Sequence, residues 1–270
     1  MRGLIAKTLR ETRFTIILLV LSLGAMEMLL AYILPMFIGE EYGQWLKVKF
    51  IRQFVTVMLG TEVGQSISPR MIAAIAWVHM MVLAIVFSQA IAFCTRVPAG
   101  EVDRGTVDCL LALPVSRKKL YLCESLVWLL AGMLTVLIGL AGNAIGGRGA
   151  PEEMKMTWRQ SLIVITNLYC LYLAVGGITW LVSSLSDRRG RAVGVVLAIV
   201  LGSFFLNFIS QFWNPAKSLA FLGVLNYYRP LMILRNGAWP VADISTLVGV
   251  GGVAWLFGGI IFARRDIRTT

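Results

Sequence analysis

Six long apolar segments are the feature that most constrains what this chain folds into. Each is close to the ~20 mostly apolar residues that a helix needs to cross a lipid bilayer. The sequence predicts the spans at 14–37, 71–93, 120–143, 162–185, 192–213 and 244–262. Hydrophobic residues make up 58% of the chain and charged residues 14%, against roughly half and a quarter in soluble domains. A compact water-soluble domain and a disordered chain are therefore both excluded.

The spans are expected to be helices, because lipid offers no partner for an unpaired backbone amide or carbonyl group. The strands of a membrane barrel would be short and would alternate apolar with polar residues. The longest connecting piece, 38–70, has 33 residues, which is less than a separate soluble domain needs. The sequence therefore predicts an all-α membrane protein with a single transmembrane domain over residues 1–270. Ser68-Pro69 looks like the start of the second span, with proline at the first helical position.

The distribution of Lys and Arg predicts the orientation of the spans. All 25 basic residues lie outside the spans, and 15 of them fall in 1–13, 94–119, 186–191 and 263–270. These four segments lie on one side of the membrane if the chain crosses it six times. By the positive-inside rule that side is the cytoplasm. The sequence thus predicts a multi-pass protein of the cytoplasmic (inner) membrane with both termini inside.

Two segments beside the spans are expected to lie on the membrane surface. Residues 1–13 mix apolar with basic side chains and predict an interfacial helix joined to the first span by a bend. The alternative is a solvated basic tail. Residues 45–59 are apolar but contain three basic residues, which predicts an amphipathic segment on the outer surface. A re-entrant hairpin is the alternative for that segment.

Residues that would support enzyme chemistry are sparse. His79 is the only histidine, and no two of the four cysteines are spaced as Cys-x-x-Cys, so no metal site is expected. The Gly-Lys-Ser/Thr sequence of a phosphate-binding loop is absent, so the chain has no ATPase motif of its own. An enzyme, and a cofactor on this chain, are therefore not expected. The glycines at 249–252, and the Gly-x-x-x-Gly pairs at 142–146 and 190–194, more simply indicate close helix packing.

Three Asp, Glu or His residues lie inside the predicted spans, namely Glu27, His79 and Glu124. Glu27 and His79 lie at depths that differ by about 3 Å at ~1.5 Å per residue, so the two side chains could pair on adjacent helices. They are candidates for lining a substrate or proton pathway. The alternative is a neutral Glu27 hydrogen-bonded within the helix packing. Glu124, near the cytoplasmic end of the third span, is expected to reach the interface or to pair with a nearby Arg or Lys.

The loop 94–119 carries the most specific motif of the sequence. A glutamate is followed by Arg-Gly-Thr, a leucine-rich stretch and Pro-x-Ser-Arg, at Glu101, Arg104-Gly105-Thr106, Leu110-Leu111, Leu113-Pro114 and Ser116-Arg117. This pattern resembles the hallmark of permease subunits of ABC transporters of the type-2 exporter class. Ser183–Ser186 and Phe262–Ile267 resemble the family's turn between spans four and five and its C-terminal Arg-Asp-Ile signature. Cys123-Glu124 departs from the pattern, since many relatives carry Gly-Lys there.

The resemblance implies the permease subunit of an ATP-driven exporter. Two permease copies would pair, as a homodimer, and sit on a dimer of separate ABC ATPase subunits that hold ATP and Mg. A short coupling helix would contact the ATPase, and its residues are Glu101, Asp103, Arg104, Gly105 and Thr106. Short re-entrant helices would precede the last span, within 214–243. Membrane lipids are expected partners and nucleic acid is not; a periplasmic partner is known for one subgroup.

Two other functions stay open at the level of the sequence. An ATP-independent channel or ion-coupled carrier would use Glu27 and His79 and would need no ATPase. A membrane scaffold would bind partners and transport nothing. The outer loops contain no charge cluster that selects a substrate, and the apolar spans mildly favour an amphipathic or lipid-linked one.

Overall fold

A computed structural model of the chain describes residues 2–37, 48, 69–103, 105, 116–210 and 213–265. We number its α-helices α1 to α10 in chain order. They are α1 Arg2–Ile33, α2 Pro69–Val78, α3 Met80–Cys94, α4 Gly100–Asp103, α5 Arg117–Gly146, α6 Trp158–Leu185, α7 Arg189–Ile209, α8 Asn214–Leu219, α9 Pro230–Asn236 and α10 Val241–Arg264. Short 3₁₀ turns cover Leu34–Phe37, Gly147–Gly149, Glu152–Met154, Ala220–Leu222 and Val224–Tyr227. No strand occurs within the described ranges.

Six helical segments are long and apolar enough to cross a membrane, so the predicted number of spans is confirmed. They are α1, the α2–α3 pair, α5, α6, α7 and α10. The predicted start of the second span is also confirmed, since α2 begins at Pro69. α6 is the most deeply buried of the six, and it packs against α3, α5, α7 and α10. The predicted segment 45–59 lies outside the described residues.

The bend predicted after residue 13 is wrong, because α1 runs without interruption from Arg2 to Ile33. No proline or glycine lies between Gly3 and Gly24 to interrupt it. At ~1.5 Å per residue the helix is about 48 Å long, well beyond the ~30 Å of a hydrocarbon core. The basic residues therefore lie on an extension of the first span, and Thr8 and Thr12 on this extension are buried against the rest of the protein.

Glycines set the closest helix contacts of the bundle. A Cβ atom added at Gly142 would lie 2.1 Å from the carbonyl oxygen of Gly24, and one at Gly146 would lie 2.0 Å from that of Met28. Gly177 on α6 and Gly251 on α10 meet in the same way, with 2.1 Å between an added Cβ and the Gly251 oxygen. The packing role predicted for the glycines is thus confirmed at Gly142, Gly146 and Gly251, whereas Gly249 and Gly252 meet nothing within 4 Å. Gly190 and Gly194 face open space in the single chain, so for that pair the packing role stays a prediction.

The segment before the last span folds into short helices that pack on the bundle. The side-chain amide of Asn167 on α6 donates to the carbonyl oxygen of Tyr227 at 3.2 Å, and that of Gln160 donates to Leu234 at 2.9 Å. The Ser203 hydroxyl on α7 accepts from the amide of Leu225 at 3.3 Å. α8 and α9 are therefore held by contacts to α6 and α7.

The second span differs from the sequence expectation of one continuous helix. α2 ends at Val78 and α3 begins at Met80, with His79 between them at φ −58° and ψ 135°. His79 is the N-cap of α3, since its Nδ1 atom accepts a hydrogen bond from the amide of Met81 at 3.3 Å.

Candidate functional site

A buried ion-pair cluster lies where the predicted coupling loop leaves the bundle. Arg96 donates to both carboxylate oxygens of Glu124, from Nη2 at 2.5 Å and from Nε at 3.2 Å. Its Nη1 atom donates to Glu11 at 2.5 Å, and its Nη2 atom also contacts the Thr8 hydroxyl at 3.2 Å. Thr8 in turn donates to Glu124 at 2.6 Å. Arg96 thus connects α1, the end of the second span and the start of the third.

Burial makes this cluster electrostatically strong. The side chains of Arg96 and Glu124 are only 13% and 4% exposed, so water screens their attraction poorly. Burial alone lowers the pKa of Arg96, but the hydrogen bonds and charges of Glu124 and Glu11 outweigh it. The pKa therefore lies above its ordinary value, and Arg96 stays charged. The forked guanidinium group holds a carboxylate by two bonds, which fixes direction as well as distance.

The short helix α4 follows directly from this cluster. The amide of Gly100 donates to the carbonyl oxygen of Thr95 at 3.0 Å, and that of Asp103 donates to Ala99 at 2.9 Å. Gly105 has φ 67°, a left-handed conformation that strongly favours glycine. Of the predicted coupling residues, Glu101 and Asp103 lie on α4 and Gly105 lies at its end. Arg104 and Thr106 lie outside the described residues.

The fifth span is attached to the same short helix. Arg189, the first residue of α7, donates its backbone amide to the carboxylate of Asp103 at 3.3 Å. Its side chain donates to the Thr95 hydroxyl at 3.2 Å and to the carbonyl oxygen of Ala92 at 3.2 Å. α4 and the turn that carries it therefore contact α1, α5 and α7, besides the second span to which they belong.

The two other family-like motifs of the sequence meet at this end of the bundle. Arg265 donates to the carbonyl oxygens of Ser184 and Ser186 at 2.9 and 3.0 Å and forms an ion pair with Asp187. These are carbonyls at the end of α6, which lack partners within the helix. Arg117 donates to the carbonyl oxygen of Arg265. Arg265 of the C-terminal motif thus contacts the motif at 183–186 and joins α5, α6 and α10, while residues 266–267 lie outside the described residues.

Glu27 and His79 have separate partners. Glu27 is fully buried and accepts a hydrogen bond from the side-chain amide of Asn143 on α5 at 2.8 Å. Its second carboxylate oxygen has no hydrogen-bond partner among the described residues. His79 caps α3 and is partly buried. The pair expected from their similar depths is therefore not formed here, and the pathway role of both residues stays a prediction.

The sequence analysis missed Arg96, Glu11 and Thr8 as parts of the site. Glu124 was expected to reach the interface or to pair with a basic residue, and its partner is Arg96, 28 residues earlier in the chain. The sequence did contain one signal of a buried ion pair: Glu124 is a lone carboxylate in the first turns of a span that begins with Arg-Lys-Lys. No cluster of His, Cys, Asp or Glu that could hold a metal ion occurs in the part of the chain that the structure describes.

Comparison with known proteins identifies the family of the chain. Residues 5–263, nearly the whole chain, match the family described as "ABC-2 family transporter protein". No curated protein sequence matches the chain significantly.

Proposed function

Since the chain belongs to the ABC-2 family of transporter proteins, we propose that it is the permease subunit of an ATP-driven exporter. Membership of the family itself implies a multi-pass permease subunit of an ABC transporter. The finer proposal is that ATP hydrolysis on a separate subunit displaces α4, and that this displacement moves the spans. The observation that carries this proposal is that α4 and the turn before it are attached to the second span, α1, α5 and α7.

An external push on α4 moves the spans only if the connection between them is stiff. Exposed ion pairs hold two flexible side chains loosely and contribute little. The Arg96 cluster differs, because its arginine bonds a nearly buried carboxylate at two atoms and a threonine fixes that carboxylate from the other side. A displacement of α4 is therefore passed to α1 and α5 together with the second span. Arg189 passes the same displacement to α7.

The proposal includes the partners of the chain. Both termini and α4 lie on the cytoplasmic side, where a dimer of ABC ATPase subunits binds α4 and holds ATP and Mg. A second copy of the chain completes the permease as a homodimer. The short helices α8 and α9 enter the outer half of the membrane, which the burial of Leu225, Leu231 and Leu234 supports. The proposed cargo is amphipathic or lipid-linked, in keeping with the apolar spans.

The experiment compares two double variants in the complex with the cognate ATPase subunit. Replacing Glu101 and Arg104 with alanine removes two of the three charged side chains of the predicted coupling segment and leaves the spans intact. The variant is expected to fold and insert normally and to lose the change that the permease makes to ATP hydrolysis in lipid vesicles. Wild-type permease-dependent ATP hydrolysis in this variant would refute the role of α4.

The matched control removes a glutamate and a cation elsewhere. Glu152 and Lys155 form an exposed ion pair at 2.6 Å in the connection between α5 and α6, at the other end of the bundle. Replacing both with alanine is expected to leave ATP hydrolysis unchanged. Full transport activity of the purified permease without any ATPase subunit would favour the ion-coupled carrier instead.

A further inference from the structure

The interruption of the second span at His79 is unusual in its sequence context. Sharp breaks in helices normally occur at proline, glycine or an inserted residue. Between Pro69 and Cys94 the sequence contains neither proline nor glycine at or near His79. The cause of the break must therefore come from contacts with other parts of the protein.

With ψ 135° at His79, the break interrupts the three helical backbone hydrogen bonds that span this residue, and side chains satisfy both partners of the middle one. In a continuous helix the amide of Met81 would donate to the carbonyl oxygen of Trp77, four residues earlier. Here the Met81 amide donates to Nδ1 of His79 at 3.3 Å. The hydroxyl group of Tyr228, from the segment before α9, donates to the Trp77 carbonyl oxygen at 2.9 Å. The two partners of the missing bond are thus each satisfied by a side chain.

Tyr228 is suited to hold this position. Its side chain is 4% exposed and belongs to the segment that packs on the outer half of the second span. Burial, and to a smaller extent the nearby Glu27 carboxyl group, raises the pKa of Tyr228 well above its ordinary value, so the hydroxyl group keeps the proton that it donates. A buried carbonyl group without a hydrogen-bond donor raises the free energy of the protein, so the hydrogen bond from Tyr228 stabilises the broken state of the span.

The two halves of the second span both contact α1 but otherwise pack against different parts of the protein. α2 packs mainly against α9, with further contacts to α1 and to the turns at Leu34–Phe37 and Glu152–Met154. α3 packs mainly against α6, with further contacts to α1 and α5, and its end continues into Arg96 and α4. A rotation of α3 therefore need not move α2, provided that the chain at His79 can change conformation.

We propose that His79 is a hinge of the second span, and that His79 and Tyr228 are positioning residues that hold it in the broken state. In the second state the Met81 amide bonds to the Trp77 carbonyl oxygen and the span is one straight helix. The straight state regains the helical backbone hydrogen bonds and gives up those of Tyr228 and His79, so each state has hydrogen bonds that the other lacks and a force on α3 can exchange the two. The hinge itself is independent of the proposed function. Its use in transport rests on that function, because α4 would supply the force.

The test measures amide hydrogen exchange of residues 79–83 in the purified permease, reconstituted in nanodiscs of phosphatidylethanolamine and phosphatidylglycerol. Tyr228→Phe removes the donor to Trp77 and favours the straight helix, so exchange of these amides is expected to slow on the order of tenfold. His79→Leu removes the cap and is expected to act in the same direction. His79→Asn is expected to preserve wild-type exchange, since asparagine is a strong N-cap residue.

Tyr227→Phe is the matched control for the loss of a hydroxyl group. The Tyr227 hydroxyl donates to the carbonyl oxygen of Phe221 and not to the second span, so this variant is expected to leave exchange at 79–83 unchanged. Thermal unfolding of each variant shows whether it is folded. Unchanged or faster exchange in folded Tyr228→Phe, or an equal effect of Tyr227→Phe, would overturn the hinge. If Tyr228→Phe does not fold, the contrast between His79→Leu and His79→Asn decides in the same way.

A second measurement separates the hinge from its use in transport. In the complex with the ATPase subunit, exchange at 79–83 is expected to differ between the nucleotide-free and the ATP-bound protein. Slow exchange in the variants with no nucleotide effect would support the hinge and contradict the proposed coupling. A nucleotide effect with no difference between variants would contradict the hinge and leave the coupling intact.

Discussion

Arg96 shows how much a single residue can connect in this protein. Its guanidinium group bonds Glu124, Glu11 and Thr8, which lie on α5 and α1. Removing one member of a buried pair leaves the other without a counter-charge in a region of low dielectric constant. Glu11 is 44% exposed and can return to water, whereas Glu124 cannot. The pair of Arg96 and Glu124 should therefore dominate the stability of this end of the bundle.

We predict that Arg96→Met lowers the free energy of unfolding by about 3–5 kcal/mol, because it leaves the buried carboxylate of Glu124 without a counter-charge. Glu124→Leu should lower it by less, because Arg96 keeps its ion pair with Glu11. The double variant should lose less than the sum of the two, since it removes both charges. Denaturation in detergent micelles measures all three values. The control is Lys155→Met, which removes a cation from the exposed pair with Glu152 and should change stability by less than about 1 kcal/mol. Additive effects of the two buried changes would contradict the prediction.

At the scale of elements, the contact between α1 and α5 depends on residues without side chains. Gly142 and Gly146 lie one turn apart and allow the carbonyl groups of Gly24 and Met28 to approach the α5 backbone. Backbone atoms cannot move aside as a flexible side chain can. Any Cβ atom at these positions must therefore separate the helices, which also strains the Asn143–Glu27 hydrogen bond between them.

We predict that Gly142→Ala destabilises the protein by about 1–3 kcal/mol, because the added methyl group would overlap the Gly24 carbonyl oxygen. Gly194→Ala is the matched control, since it also adds one methyl group inside a helix but meets nothing within 4 Å. That change should be neutral or slightly stabilising through helix propensity. Thermal unfolding in the same detergent compares the two. Equal unfolding temperatures would show that the α1–α5 contact is looser than the structure indicates.

At the scale of the whole molecule, the polar contacts divide the bundle into two unlike ends. The start of α1, the ends of α3, α6 and α10, and the starts of α5 and α7 are joined at one end through Arg96, Arg189 and Arg265. These are the ends that the distribution of Lys and Arg assigns to the cytoplasm. The opposite end carries α8, α9 and the turn at Glu152–Met154.

We predict that the end with α4 faces the cytoplasm. Single cysteines replacing Lys118 and Glu152, both exposed, mark the two ends. The native Cys94, Cys123 and Cys170 are buried, and Cys109 would be replaced by serine to remove its thiol. In intact cells a membrane-impermeant maleimide should label the cysteine at 152 and not the one at 118. The reverse labelling pattern would place α4 outside and exclude its coupling to a cytoplasmic ATPase.

The sequence by itself determined the number and places of the spans and the start of α2 at Pro69. These follow from local properties: the length of an apolar run and the fixed φ of proline. The continuous first helix also has a local cause, the absence of a breaking residue, although the basic residues pointed to a bend.

Only the tertiary structure decided which side chains meet. The spans are apolar on nearly all sides, so their sequences do not indicate which face turns toward which neighbour. The depth of a residue along a helix follows from counting residues, and this depth suggested that Glu27 lies near His79. The direction in which a side chain points depends on how the helices pack, and in the structure Glu27 is hydrogen-bonded to Asn143. For the same reason the sequence did not reveal the partner of Glu124 or the break at His79. The residues responsible, Arg96 and Tyr228, lie far from these positions in the sequence.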